Sequence, residues 1–267
     1  MSKFELSERR ACALLSLSRS SKRYVAKEKP QRKDEKRMLK LVPNWPRAGY
    51  RQLWQLLRNE GFVVNPKRVY RLYKAHELTL PRRRKRKRTH HRVPIQLPLA
   101  PRKRWSMDFM SDQLASGRRI RVLNVMDDFT KELLASPVRF SFPGALVVRV
   151  LDRLVEQLGK PLSILTDNGP EFRSNILAKW TYKNGINHSF IDPGKPQQNG
   201  LVERLNGTMR RECLDMNYFY TLKHAQELTD DWRSKYNTKR PHSSLKGKPP
   251  ALFFSEFLTI EKARLSS

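Results

Sequence analysis

The stretch LSILTDNGPEF, residues 162–172, decides the fold. Its first five residues, Leu162–Thr166, form a short apolar run typical of a strand that is buried on both faces of a sheet. The strand leads directly to Asp167, and an Asn-Gly-Pro turn follows. Just upstream, Ala145–Leu158 has the apolar spacing of a strongly amphipathic helix. A helix followed by a buried strand indicates a sheet that is covered by helices.

The chain around this stretch supplies the rest of the sheet. We predict further strands over Trp105–Met110, Arg119–Met126, Glu132–Phe140 and Ile186–Ile191. We predict further helices over Asn175–Lys183, Gly200–Leu214 and Leu222–Tyr236. This order of elements predicts an α/β fold, with a mixed sheet flanked by helices.

The charge of the chain is large and unevenly distributed. Its 267 residues include 55 Lys and Arg against 25 Asp and Glu, and the formal net charge is +30. The first 100 residues hold 28 of the basic residues and only 7 of the acidic ones. Such an excess favours nucleic acid as a partner, although charge alone does not exclude a merely basic soluble protein. No apolar run approaches the ~18 residues of a membrane span, and with two cysteines we expect a cytoplasmic protein.

The N-terminal region, residues 1–80, is predicted to be helical. A short helix covers Ser7–Leu15 with Ser7 as its N-cap, and residues 16–30 carry little pattern. A second helix covers Tyr50–Asn59, Gly61 follows it, and a third covers Lys67–His76. This pair resembles a DNA-binding helix-turn-helix, and the alternative is an ordinary helical hairpin with a solvated face. The basic residues on the outer face of the third helix are Lys67, Arg68, Arg71 and Lys74.

The next segment, residues 81–104, is predicted to be an extended basic linker. Its seven consecutive basic residues, Arg82–Arg88, repel one another, and three prolines keep the chain extended. We expect the linker to lie along DNA phosphates, with a plain solvated tether as the alternative. The candidate contacts are Arg82, Arg83, Arg84, Lys85 and Arg86. The remaining residues, 105–267, form the predicted α/β domain.

Three carboxylates in this domain are candidates for one metal site. Asp108 lies within the first strand, Asp167 ends the buried strand, and Glu203 lies in the helix that begins at Gly200. Sites in such sheets form beyond the carboxyl ends of strands, so the three carboxylates are expected to meet at one edge. Three clustered carboxylates would repel one another, and divalent cations would relieve that repulsion. Carboxylate oxygens suit Mg²⁺ or Mn²⁺, and two such ions support in-line phosphoryl transfer. Taken singly, each residue has a plain alternative as a surface or turn residue.

Other carboxylates compete with these three. Asp127 and Asp128 follow a predicted strand, but Asp-Asp before Phe and Thr also suits a turn, which we favour. Asp112 and Glu171 lie near the three candidates in sequence, and we expect them to have supporting roles.

The spacing of the carboxylates resembles a known pattern. Thirty-five residues separate Asp167 from Glu203, as in the D,D(35)E arrangement of retroviral-integrase-like transposases. The whole chain resembles the downstream-frame protein of bacterial insertion sequences that encode transposase in two overlapping frames. The motifs that carry this resemblance are AGYRQLWQLLRNEGFVVNPKRVYRLY, WSMDF, VMDDFT, TDNGPEF, DPGKPQQNGLVERLNGTMRREC and WRSKYNTKRPHSSL.

The resemblance implies a ribonuclease-H-like fold and metal-dependent DNA strand cleavage and transfer, with Asp108, Asp167 and Glu203 as metal ligands. It also implies double-stranded DNA as substrate and the upstream-frame protein as fusion or partner, and we expect a homo-oligomer on DNA in the bacterial nucleoid. Two alternatives stay open: a catalytically silent DNA-binding regulator with the same fold, and a ribonuclease H acting on RNA–DNA hybrids.

Several polar residues near the carboxylates are candidate DNA contacts. Arg210 follows Glu203 by seven residues and so shares its helix face. The segment 192–200, DPGKPQQNG, lacks an apolar anchor and predicts a mobile loop over the site, with an inert connector as the alternative. The further candidates are Asn168, Lys195, Gln198 and Asn199.

Overall fold

The computed structural model describes residues 7–24, 32–81, 97–192 and 196–265. Its N-terminal part consists of α1 (Glu8–Leu14), α2 (Arg19–Arg23), α3 (Lys33–Leu41), α4 (Tyr50–Asn59) and α5 (Pro66–Ala75). The three predicted helices are confirmed, and the Ser7 hydroxyl caps α1 as expected. The sequence pattern misses α2 and α3, because α2 has no apolar residue and α3 has them only in its second half.

Helices α3, α4 and α5 share one small core. Leu53 and Leu57 of α4 pack with Met38 of α3 and Val69 of α5 in this cluster. Gly61 adopts φ +87° in the turn after α4, a conformation that favours glycine. The Asn65 side chain accepts the Lys67 N–H at 2.8 Å and so caps α5. The predicted helix–turn–helix geometry therefore rests on the predicted capping residues.

The second part of the chain contains a six-stranded mixed sheet. Its strands are β1 (Arg104–Gln113), β2 (Arg119–Asp127), β3 (Leu133–Ala135), β4 (Val138–Arg139), β5 (Ser163–Thr166) and β6 (Asn187–Phe190). The order is β3-β2-β1-β5-β6, and β4 also pairs with β2. β2 is antiparallel to β1, whereas β5 is parallel to both β1 and β6. The predicted third strand is divided into β3 and β4 at Pro137, which has no N–H to donate to a ladder.

Helices cover both faces of the sheet, as predicted. They are α6 (Gly144–Leu158), α7 (Asn175–Asn184), α8 (Gly200–Glu212), α9 (Leu222–Thr238) and α10 (Pro250–Leu265). Leu123 of β2 belongs to the core with Leu151 of α6 and Leu177 of α7. Val122, its neighbour along β2, belongs to the opposite core with Leu205 of α8. This alternation between faces is the period of two that a strand imposes.

Two details differ from the sequence-based prediction. The strand predicted over Leu162–Thr166 begins at Ser163, and Leu162 is 63% exposed. Within β5 only Ile164 and Thr166 are fully buried, so the strand is less enclosed than predicted. The long helix α10 is absent from the prediction. Among the described residues, no helix combines the length and apolar character that a membrane crossing needs.

Candidate active site

Asp108 and Asp167 lie beside each other at one edge of the sheet. The parallel ladder between β1 and β5 pairs Ser106 with Leu165. When this register is continued by two residues along each strand, Asp108 lies opposite Asp167, the residue that directly follows β5. The side chains of residues two apart point to the same face of a strand. The predicted convergence of these two carboxylates therefore follows from the strand register.

Glu203 reaches this edge from a helix. It lies in the first turn of α8 and is exposed, while Val202, Leu205 and Met209 bury the opposite side of α8 against the sheet. One turn further along α8, the Asn206 Nδ2 donates to Asp108 Oδ2 at 2.8 Å. This hydrogen bond fixes the start of α8 over β1 at the position of Asp108.

The charges of the three carboxylates interact. The pKa of Asp108 is raised to about 6, mainly by burial and also by the charges of Asp167 and Glu203, while hydrogen bonds from the Phe109 N–H and from Asn206 oppose the rise. Asp167 and Glu203 thus lie within electrostatic range of Asp108. A divalent cation bound between these carboxylates would neutralise this repulsion.

The carboxylate oxygens are held by protein donors. Asp108 Oδ1 accepts the Phe109 N–H at 2.8 Å, and Asp167 Oδ1 accepts the Gly169 N–H at 3.0 Å. Within the described ranges, no group of three or more His, Cys, Asp and Glu side chains stands close enough together to hold a metal ion. The donor chemistry nevertheless fits Mg²⁺ or Mn²⁺, because both ions prefer carboxylate oxygen.

Asp127 and Asp128 lie beside the N-terminal end of β1. Asp127 pairs with Trp105, whereas Asp108 pairs with Asn124 three residues further along the ladder. Asp127 Oδ2 accepts both the N–H and the hydroxyl of Thr130, at 2.8 and 2.7 Å. These bonds confirm the predicted turn at Asp127.

Asp128 is fully buried beside its neighbours on β1. It forms an ion pair with Arg104 and accepts the Ser106 hydroxyl at 2.7 Å. These contacts connect the turn at Asp128 to the start of β1.

Arg210 forms an ion pair with Asp112, one of the two acidic residues for which the sequence predicts a supporting role. Its Nη1 lies 2.5 Å from Asp112 Oδ2, and its Nη2 donates to the Ser111 carbonyl. The other supporting candidate, Glu171, forms an ion pair with Arg121. A DNA phosphate at Arg210 would therefore compete with Asp112, and a DNA contact there stays a prediction.

Two hydrogen bonds between Asp192 and Gln198 connect the two ends of the polar loop before α8. The Asp192 N–H donates to Gln198 Oε1 at 2.8 Å, and Gln198 Nε2 returns a bond to Asp192 Oδ2 at 3.0 Å. Asn168 is exposed and donates to the Ile191 carbonyl at 2.9 Å. Lys195 lies outside the described residues.

Asn199 corrects the prediction of a DNA contact. It is 2% exposed, and its Nδ2 lies 3.4 Å from the Met107 carbonyl of β1. The tight turn Pro196–Asn199 leads directly into α8, so this side chain points into the protein and anchors the helix. An exposed loop residue is what the sequence pattern predicts, and the burial comes from tertiary packing.

The candidate DNA-binding residues of α5 fall into two groups. Lys67, Arg71 and Lys74 are exposed, as predicted. Arg68 is half-buried, and its Nε lies 2.6 Å from Asp34 Oδ2 on α3, so the structure corrects its assignment to the outer face. The five basic residues from Arg82 to Arg86 lie outside the described residues.

Two asparagines of the site escape the sequence analysis. Asn124 pairs with Asp108 across the β1–β2 ladder, and its Nδ2 donates to Asn206 Oδ1 at 2.7 Å. The chain Asn124–Asn206–Asp108 thus connects two strands with α8. Two sequence features could have identified them. Asn124 is a lone polar residue in the apolar strand RVLNVM, and Asn206 is an amide one helical turn after Glu203.

Comparison with known families agrees with this architecture. Residues 30–86 match the HTH-like domain family, and residues 98–196 and 184–250 match two families described as integrase core domain. An intasome chain of simian T-cell lymphotropic virus, solved in complex with PP2A regulatory subunit B56 gamma, has a similar fold. Its TM-score is 0.53 at 19% identity over 81% of this chain and 74% of that chain. The fold is therefore that of the ribonuclease-H-like integrase core, preceded by a helix-turn-helix-like region.

Sequence relatives define the family more narrowly. A 31.7 kDa protein of insertion element IS407 from Burkholderia multivorans is 44% identical over 94% of this chain and 91% of its own length. The transposase InsD of insertion element IS2 from Escherichia coli is 28% identical over 79% of this chain and 74% of its own length. The chain belongs to the family of bacterial insertion-element transposases with an integrase core domain.

Proposed function

We propose that this transposase cleaves and joins DNA with Asp108, Asp167 and Glu203 as its catalytic carboxylates, in a reaction that depends on two Mg²⁺ or Mn²⁺ ions. The observation that carries the proposal is the position of Asp108 opposite Asp167, with both Asp167 and Glu203 acting on the Asp108 pKa. Ions held by these three residues would polarise the phosphoryl oxygens and neutralise charge on the attacking and leaving oxygens.

The reaction consists of two phosphoryl transfers. Water first attacks a phosphodiester at the end of the element, and the bond to the 3′ oxygen breaks to leave a 3′-hydroxyl and a 5′-phosphate. That 3′-hydroxyl then attacks a phosphodiester of the target and displaces a new 3′-hydroxyl. Asn206 and the Phe109 N–H orient the Asp108 carboxylate in both steps. Catalysis rests on positioning and on charge neutralisation.

Recognition of duplex DNA is assigned to the N-terminal region. The outer face of α5 presents Lys67, Arg71 and Lys74, and a net charge of +30 favours phosphate neutralisation. We propose a helical DNA-binding region over residues 1–80, a basic linker over 81–104 and a catalytic domain over 105–267. The chain acts on bacterial DNA in the cytoplasm as a homo-oligomer, with the upstream-frame protein as partner or fusion.

A cleavage assay tests the proposal. The purified full chain is incubated with a supercoiled plasmid that carries its own element, with Mg²⁺, Mn²⁺ or EDTA. Nicked and joined products are expected only with a metal ion, and Asp167→Asn and Glu203→Gln should lower their rate by several orders of magnitude. Glu227→Gln, an exposed glutamate on α9, is the matched control and should act like the wild type.

The outcomes separate the candidate functions. Full activity of Asp167→Asn or Glu203→Gln would remove that residue from the site. Tight duplex binding without cleavage under any metal condition identifies the catalytically silent regulator. Degradation of an RNA–DNA hybrid with no action on duplex DNA identifies a ribonuclease H.

A further inference from the structure

A cleft of about 740 Å³ separates the helical region from the integrase core. Helices α4 and α5 line one side, and the segment 240–247 lines the other. Gly247 lines the cleft, and its carbonyl accepts a hydrogen bond from Asn59 Nδ2 at 3.1 Å. Gly247 has φ +83°, and a Cβ added there would lie only 2.1 Å from the Gln55 side chain. The two regions are therefore in tight contact beneath an open cleft.

Aromatic rings form one wall of this cleft. Tyr70 of α5 is 43% exposed, and its ring centroid lies 4.9 Å from that of Tyr50 on α4. Trp54 also lines the cleft and is held in place by a 2.8 Å hydrogen bond from its Nε1 to the Val64 carbonyl. Tyr70 thus presents exposed ring surface that packs on Tyr50, and the Lys74 Nζ lies 5.8 Å from the centroid of its ring.

The charges at the cleft are all positive. Arg51, Lys67 and Lys246 line it and form no ion pair with another described residue, and the Arg51 Nε donates to the Tyr50 hydroxyl at 3.1 Å. A fourth cation, Arg240, is already neutralised by Glu212 at 2.7 Å. No Asp or Glu is among the described residues that line the cleft. The cleft therefore combines exposed ring surface with three cations that no carboxylate of the described residues neutralises.

We propose that this cleft binds a single-stranded segment of DNA, with a base on the Tyr70 ring and phosphates at Arg51 and Lys246. Stacking rings beside cations are the means by which proteins hold unpaired strands. A duplex is read by a convex element that enters a major groove about 12 Å wide, and a concave cleft of this size suits an unpaired strand instead. The inference rests on the proposed function, since strand cleavage frees an end that can leave the duplex.

Fluorescence anisotropy with the full chain tests the cleft. The probes are a labelled single-stranded oligothymidine of about eight nucleotides and a labelled element-end duplex. Tyr70→Ala should weaken single-strand binding about tenfold, whereas Tyr70→Phe should retain most of it because the ring remains. Lys246→Asn should weaken binding and its salt dependence, and asparagine tolerates the φ of +55° at this position.

The control is Lys179→Asn, which removes one exposed charge from α7 and should leave both affinities unchanged. The cleft assignment is overturned if Tyr70→Phe loses as much single-strand affinity as Tyr70→Ala, or if Lys246→Asn binds like the wild type. An equal loss of duplex and single-strand affinity in Tyr70→Ala also overturns it, because the ring then belongs to the duplex interface. None of these three results bears on the proposed function, which depends on cleavage of the element-bearing plasmid.

Discussion

Asn206 on α8 donates a hydrogen bond to Asp108 on β1 at 2.8 Å, and this bond connects the helix that carries Glu203 with the strand that carries the central aspartate. The same amide accepts from Asn124 on β2 at 2.7 Å. The position of α8 relative to the sheet is thus fixed by polar contacts as well as by apolar packing.

Asn206→Ala is expected to raise the Mg²⁺ concentration that gives half-maximal cleavage, because Asp108 loses the donor that orients it. The free energy of unfolding should fall by about 1–3 kcal/mol, since the buried Asn124 amide loses its acceptor. Mg²⁺ titration of plasmid cleavage and urea unfolding measure the two effects. Thr208→Ala, which removes a hydrogen bond within α8, is the control and should leave the Mg²⁺ midpoint unchanged. An unchanged midpoint in Asn206→Ala contradicts the positioning role.

Asp108→Asn and Asp127→Asn should have opposite effects. Asp108→Asn is expected to abolish cleavage but to keep or raise stability, because it relieves repulsion from Asp167 and Glu203. Asp127→Asn is expected to lower the free energy of unfolding by about 1–3 kcal/mol, because its amide nitrogen cannot accept the bonds from Thr130. Its folded fraction should still cleave. Plasmid cleavage and urea unfolding of both variants check this, and loss of cleavage in a folded Asp127→Asn protein would move the site.

The basic residues of α5 should differ in their effect on DNA binding. Lys67→Ala and Arg71→Ala should each reduce the slope of log affinity against log salt by about 1, because each removes a phosphate contact. Arg68→Ala should leave the slope nearly unchanged but lower stability, because Asp34 loses its half-buried partner. Duplex binding over a series of salt concentrations, together with urea unfolding, tests this. A slope change in Arg68→Ala as large as that in Lys67→Ala would assign Arg68 to DNA after all.

Stability should depend on pH through His242. Burial, and to a smaller extent the charge of Arg240, lowers the pKa of His242 to about 3. The unfolded chain titrates with a His pKa of about 6.5, so below that pH it takes up a proton that the folded chain does not. Stability from this residue is therefore complete above about pH 6.5 and falls as the pH drops, by up to about 1.4 kcal/mol per unit.

His242→Phe should flatten this dependence between about pH 6.5 and 5. Phenylalanine suits the site, because the His242 ring packs edge-on against Tyr236 at 4.7 Å and its Nε2 has no hydrogen-bond partner among the described residues. Urea unfolding of both proteins at the two pH values gives the slopes. Equal slopes would show that His242 does not titrate as inferred.

Local patterns in the sequence predicted much of the fold. The apolar run before Asp167 predicts a strand, and the Asn65-Pro66 pair marks the start of α5, because both signals act within a few residues. The helix α10 escapes prediction, because its apolar residues are spread around the axis, and Leu252, Leu258 and Ile260 stay exposed.

The site was predictable only in part. The positions of Asp108 and Asp167 follow from strand order, which the sequence pattern suggests. The burial of Asn199, the pairing of Arg210 with Asp112 and the bond from Asn206 to Asp108 all join segments more than 90 residues apart. No local periodicity encodes such contacts, since they depend on how α8 lies on the sheet.

The contact between Asn59 and Gly247 bears on the distance along DNA between the position of the helical region and the position of the integrase core. It joins α4, which shares a core with α5, to the integrase core. In a protein that reads one stretch of duplex and cuts another, a constant separation acts as a ruler. If the proposed function holds, we expect the distance between the two regions to set the number of base pairs between the recognised sequence and the cleaved bond.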